Sequence, residues 1–397
     1  MGLATWTMRN YNRDGVPQNT ADYGHDQGGS SNEIRHAINR NLTINLNGID
    51  ELGFSLYLDD PMAASIRPLT SFVKLWRSFS GYADSDPCFS GIVTQRILRG
   101  EAGIVDYRVF SPLWRLQSRF HILNHYLNIN TETSELYTQS WLMWKFIDLV
   151  NEAFGVQAGF TGIAQGSFSW FEDPIVAPYF QSRGSNTWSI IFDDLMSRDG
   201  SPDIIPDYVH SDNDPTLMLF STAESRGIDR SASLGFNYRT GTANLDDITE
   251  TEIVVPGEYA NYVWIVGHGG PNSGKIAMAE NNSTSGYGYK NIGIYMKRID
   301  LQDFKLFDSK MKAVATAELN QSIVPKASYE IQVAAAGNVY YGRDFDVGDV
   351  VSLNANKGAL QLSGKKQRIY TATMSNSENN IETCVPLLAD DFHGKFV

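Results

Sequence analysis

Cysteine, basic charge and long apolar runs are what this chain has least of. Cys88 and Cys384 are its only two cysteines in 397 residues, and they lie far apart. That excludes a disulfide framework or a cysteine-built zinc cluster and leaves reduced thiols as the default. Charged residues make up only 19%, and acids outnumber bases 45 to 32, for a net −13. The shortage of base is local: residues 201–260 hold eleven acids and three bases, against nine and ten in residues 33–125. An acidic middle excludes a wrapped, sequence-reading nucleic-acid complex, which needs a basic footprint. It leaves open a wall that repels DNA passing nearby. No apolar stretch is long enough to span a bilayer; the most apolar, "WLMWKFIDLV" at 141–150, is short and carries Lys145 and Asp148. The opening "MGLATWTMRNYNRDG" has no apolar signal core, so the expectation is a soluble chain made in the cytoplasm.

What is there reads as a β-rich α+β chain. Residues 1–32, rich in Asn, Asp, Gly and Ser, read as an extended N-terminal arm that orders only against a partner. In 33–125 the runs "LTINL", "GFSLYL", "SFVKLWRSF", "CFSGIVTQRIL" and "GIVDYRVF" alternate with turn residues, the rhythm of a small β-barrel or sandwich. "SPLWRLQSRFHIL" then predicts a helix, with Ser111 at the N-cap, Pro112 first, and Leu113, Leu116, Phe120 and Leu123 as its stripe. Residues 126–225 read as a mixed α/β insertion with two helices ended by Gly155 and Gly200. From 226 to 397 strands return around one long helix, 303–321, with Phe304, Phe307, Met311, Val314 and Ala315 at helical spacing.

Candidate chemistry is thin. Gly269, Gly274 and Lys275 satisfy the spacing of a phosphate-cradling loop, but Ile276 stands where the magnesium-holding hydroxyl belongs. His121 and His125 have metal-ligand spacing on a helix, without the following Glu or a third ligand. Asp193 and Asp194 in "FDDL" fall on different helix faces. There is no G-x-S-x-G elbow and no catalytic setting around either cysteine. "DFDVGDVVSL" crowds Asp344, Asp346 and Asp349 around Gly348 but lacks the regular ligand spacing and terminal Glu of a calcium loop. It reads as a structural turn: Gly348 supplies backbone freedom, and Asp346 and Asp349 accept backbone N–H groups. No catalytic residue, cofactor or metal follows from these motifs.

Several segments match something known. "RNLTINLNGIDELGFSLYLDDPMAASIRPLTSFVKLWR", then "CFSGIVTQRI" and "YRVFSPLWRLQSRF", resemble the opening hub domain of tail-tip proteins from long-tailed bacteriophages. The strands are marked by Trp76 and Arg77 and by Phe89 and Gly91. "DFKLFDSKMKAVATAELNQSIVP", followed by "YEIQVAA", "YYGRDFDVGDVVSL" and "QRIYTATMS", resembles the helix and closing strands of the same family, and "NNSTSGYGYKNI" its linker. The resemblance implies a structural baseplate hub, or minor tail protein, with no enzymatic activity. It implies two β-barrel hub domains, 33–125 and 226–397, around the insertion. Three copies of the chain would make a pseudo-sixfold ring around the DNA ejection channel at the virion tail tip. Expected partners are the distal tail protein, the tape-measure protein and other tail-tip proteins, with DNA passing unbound and no membrane segment of its own. Relatives that append a lytic domain differ from this chain, which ends at Val397, so cell-wall cutting is expected of another protein. The alternative is a receptor- or glycan-binding role for residues 126–225, through aromatics such as Trp170, Phe171 and Tyr179.

Overall fold

The computed structural model describes residues 4–11, 32–79, 82–118, 139–153, 162–168, 186–195, 202–208, 218–240, 243–253, 259–266, 276–300, 308–323, 326–334 and 339–390. Strand β1 spans Ala4–Tyr11, β2 Ile38–Asn45 and β3 Glu51–Tyr57. Helix α1 (Pro61–Ser65) starts because Asp60 accepts the Met62 N–H at 2.8 Å and Pro61 needs no donor partner there. Four strands follow: β4 (Phe72–Phe79), β5 (Tyr82–Ala83), β6 (Phe89–Arg99) and β7 (Ile104–Phe110). Next come a 3-10 turn at Pro112–Ser118, helix α2 (Gln139–Ala153), β8 (Ile163–Phe168) and a π-helical segment at Ser189–Leu195. Strands β9 (Asp203–Asp207), β10 (Met218–Ala223), β11 (Gly235–Tyr238) and β12 (Leu245–Ile253) lead onward. The chain continues through β13 (Tyr262–Val266), β14 (Ile276–Glu280), α3 (Tyr289–Ile292), β15 (Met296–Asp300) and α4 (Asp308–Ser322). It closes with β16 (Lys326–Val333), β17 (Val350–Lys357), β18 (Leu360–Asn376) and β19 (Glu382–Ala389). Among the described residues no helix is long and apolar enough to cross a membrane.

The chain divides into two units, one of residues 1–249 with 330–397 and one of residues 250–329. The β-rich class read from the sequence stands. Its strands are shared differently from two separate barrels. They run in one ladder, β1-β4-β6-β7-β3-β2-β18-β19-β16-β12, with β5 on β4 and β17 between β18 and β11. Among the described residues no closed barrel is found. The joint is β2 against β18, where Asn45 faces Thr371 and Arg40 faces Asn376, and the Thr43 and Thr373 hydroxyls meet at 3.2 Å.

Residues 4–11, read as part of an arm awaiting a partner, pair along their whole length with β4 of the same chain. Their alternation explains it: Trp6 and Met8 face the core opposite Arg77 and Leu75, while Thr5 stays exposed. The segment after Ser111 is a 3-10 turn rather than an α-helix over its described part; Phe120 and Leu123 lie outside the described residues. The second predicted insertion helix is π-helical over Ser189–Leu195. A separate three-stranded sheet, β8-β10-β9, holds the insertion's strands.

In the second unit, β14-β13-β15 form a sheet with α4 on one face. Val263 and Ile265 alternate inward to meet Met311, Ala315 and Leu319 at helical spacing. Lys297 reaches Glu318 at 2.6 Å beside that core.

Gly91 shows how tightly the first unit packs. A Cβ there would lie 2.6 Å from both the Phe110 carbonyl oxygen and Phe89 Cζ. Gly91→Ala is therefore expected to cost about 1–3 kcal/mol by overpacking. Urea unfolding should show a lower midpoint at unchanged slope; an unchanged midpoint would refute the close approach.

Candidate functional site

Strand β4 reads "FVKLWRSF", and alternation sends Val73, Leu75, Arg77 and Phe79 to the core face. A guanidinium there has lost its water and must be paired. Arg77 Nη2 meets Glu382 Oε1 at 2.5 Å and Arg77 Nε donates to Oε2 at 3.1 Å, with the two side chains only 1% and 4% exposed. Trp6, opposite Arg77 on β1, donates its indole N–H to the same Oε2 at 2.7 Å. Both Nη groups donate to the Tyr341 carbonyl at 3.3 Å, and the Phe79 and Tyr341 rings flank the cation. Burial opposes the charge on Arg77, but the Glu382 carboxylate outweighs it and raises the guanidinium's pKa.

A second buried pair ties the insertion to the closing strands. Arg368 on β18 bonds Asp203 of β9, both fully enclosed, and donates to the carbonyls of Gly348 (3.1 Å) and Arg226 (3.2 Å). Asp203 also accepts the Arg226 N–H at 2.7 Å and the Asn47 amide at 2.8 Å. Nearby, Asp50 accepts the Tyr208 hydroxyl at 2.6 Å and the Asn45 N–H at 2.8 Å. Burial pushes its carboxyl up to about 6, with Arg226, Tyr208 and Asn45 pulling the other way.

The Gly348 turn sits against this network. Asp349 is buried and accepts from the Ile228 N–H (2.7 Å), Arg230 Nε (2.7 Å) and the Asp346 N–H (2.9 Å). Asp346 accepts its neighbour's Val347 N–H and the Tyr341 hydroxyl, with Arg226 at 3.7 Å. Gly348 has φ +97°, and a Cβ on it would lie 2.2 Å from the Arg226 carbonyl oxygen. Gly227 approaches from the other side, where a Cβ would lie 2.3 Å from the Gly348 carbonyl carbon. Two glycines let the backbones touch.

Of these groups Asp50, Arg77, Arg226, Tyr341 and Asp346 line a cleft of about 670 Å³, which Asp84 and Asp86 also border. Its charges are engaged in packing. Asp84 accepts the Arg77 N–H at 2.8 Å. The Cys88 thiol points at the Leu75 carbonyl (3.4 Å), and burial pushes it well up, so it stays a thiol at neutral pH. Among the described residues no three His, Cys, Asp or Glu side chains are placed to hold one metal ion. What the arrangement can do is clamp β1, β4, β9 and the closing strands together.

Of the strand-marking residues, Arg77 is the clamp's centre, and Phe89 is buried with its ring 5.7 Å from that of Tyr208. Trp76 takes the other face, with Arg9 5.2 Å from its ring. Lys275, His121, His125, Trp170, Phe171 and Tyr179 lie outside the described residues, and Asp193 and Asp194 fall on the π-helical segment. Glu382, Asp203, Asp50 and Arg368 went unsingled in the sequence. The one available signal was a charge at an inward position of an alternating strand, as in "QRIYTATMS".

No protein-family model matches the chain, and no curated protein matches it in sequence. Solved structures match in fold. The tail protein from Neisseria meningitidis MC58 superposes with a TM-score of 0.60 at 11% identity, over 98% of both chains. The 43 kDa tail protein of prophage MuSo2 from Shewanella oneidensis gives 0.58 at 10% identity, over 98% of both. Prophage tail protein gp18 from Listeria monocytogenes EGD-e gives 0.52 at 10% identity, over 98% of this chain and 95% of its own. The chain has the fold of these tail proteins along its length.

Arg77→Met leaves the buried Glu382 carboxylate without its cation, held only by the Trp6 indole N–H, and is expected to cost about 3–5 kcal/mol. Arg77→Met with Glu382→Leu should recover most of that, measured by urea unfolding of the single and double variants. A double variant no better than the single would sink the assignment. Asp50 generates a pH dependence. Its folded pKa of about 6 lies above the ordinary 3.8, so the folded state binds the proton more tightly. Stability then falls by about 3 kcal/mol as pH rises from about 4 to about 6, and stays lower above that. Asp50→Asn should remove this slope; parallel profiles for variant and wild type would disprove it.

Proposed function

We propose that this chain is a structural hub, or minor tail, protein at the tail tip of a long-tailed bacteriophage, and not an enzyme. The observation that carries the reading is the tail-protein fold, matched over nearly all of this chain and of its structural neighbours. The strand marks around Trp76, Arg77, Phe89 and Gly91 support it from the sequence side. The cleft's chemistry also favours it, because its buried charges hold strands together and its thiol is unactivated.

In this reading three copies form a ring at the tail tip, joined to the distal tail protein and to host-recognition parts. The two hub domains, 33–125 and 226–397, supply the ring, and the insertion at 126–225 is carried beside them. Among the described acids of 201–260, Asp203, Asp207 and Asp229 are spent on Arg368, the Ser221 hydroxyl and Lys366. Asp246, Asp247, Glu250 and Glu252 stand exposed on β12 and are available to an assembly. No described residue favours a glycan-binding role for the insertion.

The purified chain is expected to reach the mass of three copies in mass photometry, and a cryo-EM map of the tail tip should hold three copies around the channel. A chain that stays single at every concentration and is missing from purified tails would overturn the proposal.

A further inference from the structure

Five carboxyl groups are buried among the described residues: Asp50, Asp60, Asp203, Asp349 and Glu382. Four of them face a basic side chain. Asp203 holds Arg368, Asp349 holds Arg230 at 2.7 Å, Glu382 holds Arg77 at 2.5 Å, and Asp60 lies 3.2 Å from His36. Asp50 is 1% exposed, and among the described residues its oxygens meet two donors and no cation at ion-pairing distance. The Asn45 N–H bonds Oδ1 and the Tyr208 hydroxyl bonds Oδ2. A buried carboxylate without a cation is costly, which favours the neutral acid in its place.

The groups around Asp50 do not relieve that cost. Arg226, from the segment after β10, serves the Asn45 carbonyl at 3.4 Å and Asp346 at 3.7 Å. From the Gly348 turn, Asp346 and Tyr341 act on the same cluster, and Asp346 pushes Asp50 further toward its neutral form. Ser111, from the 3-10 turn, meets the Asp50 backbone N–H at 3.1 Å. Arg77, Asp84, Asp86 and Asp207 border the same cleft.

Tyr208 closes this arrangement from the insertion. Strand β9 is held at its first residue through an ion pair, because Asp203 meets Arg368 and also accepts from Arg226 and Asn47. Just past its other end the hold is Tyr208, which is 7% exposed, with its ring 5.7 Å from that of Phe89 and its hydroxyl on Asp50. Pro206, Asp207 and Tyr208 form part of the cleft wall. One end of the strand is thus pinned by a paired carboxylate and the other by a carboxyl that has no cation.

We propose that Asp50 and Tyr208 form a proton-controlled latch, closed while Asp50 carries its proton and loosened once it is charged, which releases the Tyr208 end of β9 from the cleft while Asp203 stays pinned. In the closed form Oδ1 accepts the Asn45 N–H and the protonated oxygen shares a hydrogen bond with the Tyr208 hydroxyl. Loss of the proton puts an unpaired charge in the interior, and release of Tyr208 lets water reach it. The direction follows from burial, which raises the carboxyl to about 6 in the latched form against its ordinary 3.8. The latch is therefore tightest below about pH 4, weakens as pH rises to about 6, and stays weak above that.

Hydrogen exchange of the full chain, corrected for the intrinsic pH dependence of amide exchange, tests this. The reporters are the Asn45 amide, which bonds the Asp50 carboxyl, and the amides of β9; β4 and β6 are the reference. Opening at the reporters is expected to grow about sixtyfold between about pH 4 and pH 7.5, ahead of the reference strands. Asp50→Asn, whose amide copies the neutral acid, should keep the latch closed and flatten the profile. Tyr208→Phe keeps the ring against Phe89 but loses the hydroxyl, and should exchange faster than wild type at pH 4. Reporters that exchange only together with β4 and β6 would mean that Tyr208 leaves by unfolding alone, and the latch falls. It falls equally if Asp50→Asn keeps the wild-type slope, or if Tyr208→Phe exchanges like wild type at pH 4. Should circular dichroism show Asp50→Asn unfolded, the wild-type and Tyr208→Phe profiles decide.

Discussion

A guanidinium group buried among strands must have all its donors answered by protein, and the first unit is arranged around meeting that requirement twice. Removing such an ion from water costs several kcal/mol even after relaxation. Arg77 is answered by a carboxylate from β19 and a carbonyl from Tyr341, with Trp6 of β1 sharing that carboxylate. Arg368 is answered by Asp203 and by two carbonyls at Gly348 and Arg226. None of these partners is a sequence neighbour of its arginine. Neither site is complete until segments far apart in the chain have met, which couples their folding. The same placement resists slippage: a one-residue shift of β4 would turn Trp76 inward and Arg77 outward, leaving Glu382 unpaired.

The two networks also explain the glycines at their junction. The Arg226 carbonyl can serve Arg368 only if the 226–228 backbone lies against the 348–349 backbone. That approach leaves no room for a Cβ at Gly227 or Gly348. Asp349 then completes the contact by accepting from Ile228 and Arg230. A short carboxylate, two glycines and one buried arginine form a single device that holds the segment after β10 against the start of β17.

Much of this fold was legible because alternation is a local signal. β3, β4 and β7 were visible as inward and outward residues, and the amphipathic spacing of Met311 and Ala315 gave the helix on the second sheet. β1 was not legible: its flanks are rich in Asn, Asp and Gly, and its partner β4 lies some distance along the chain. The single ladder was hidden for the same reason. Pairing between Asn45 and Thr371 leaves no trace in either strand's own pattern. The crowding of acids around Gly348 was plain, whereas the reach of Asp349 to Ile228 and Arg230 was not. Arg77 stood out as part of a strand motif, yet Glu382, 305 residues away, had nothing local to mark it.

Two of the large sheet's end strands, β1 and β12, are treated differently. At β1 the chain covers its own edge: the Asn10 N–H donates to the Asn32 carbonyl, and the Ile34 N–H to the Met8 carbonyl. At β12 no described segment plays that part, and carboxylates stand along the strand instead. Charges on an open edge prevent indiscriminate strand pairing, because a second acidic edge is repelled and an apolar one must desolvate them. They still admit a partner that brings positive charge. Covering the β1 edge from within the chain removes one site at which a strand of another chain could be added.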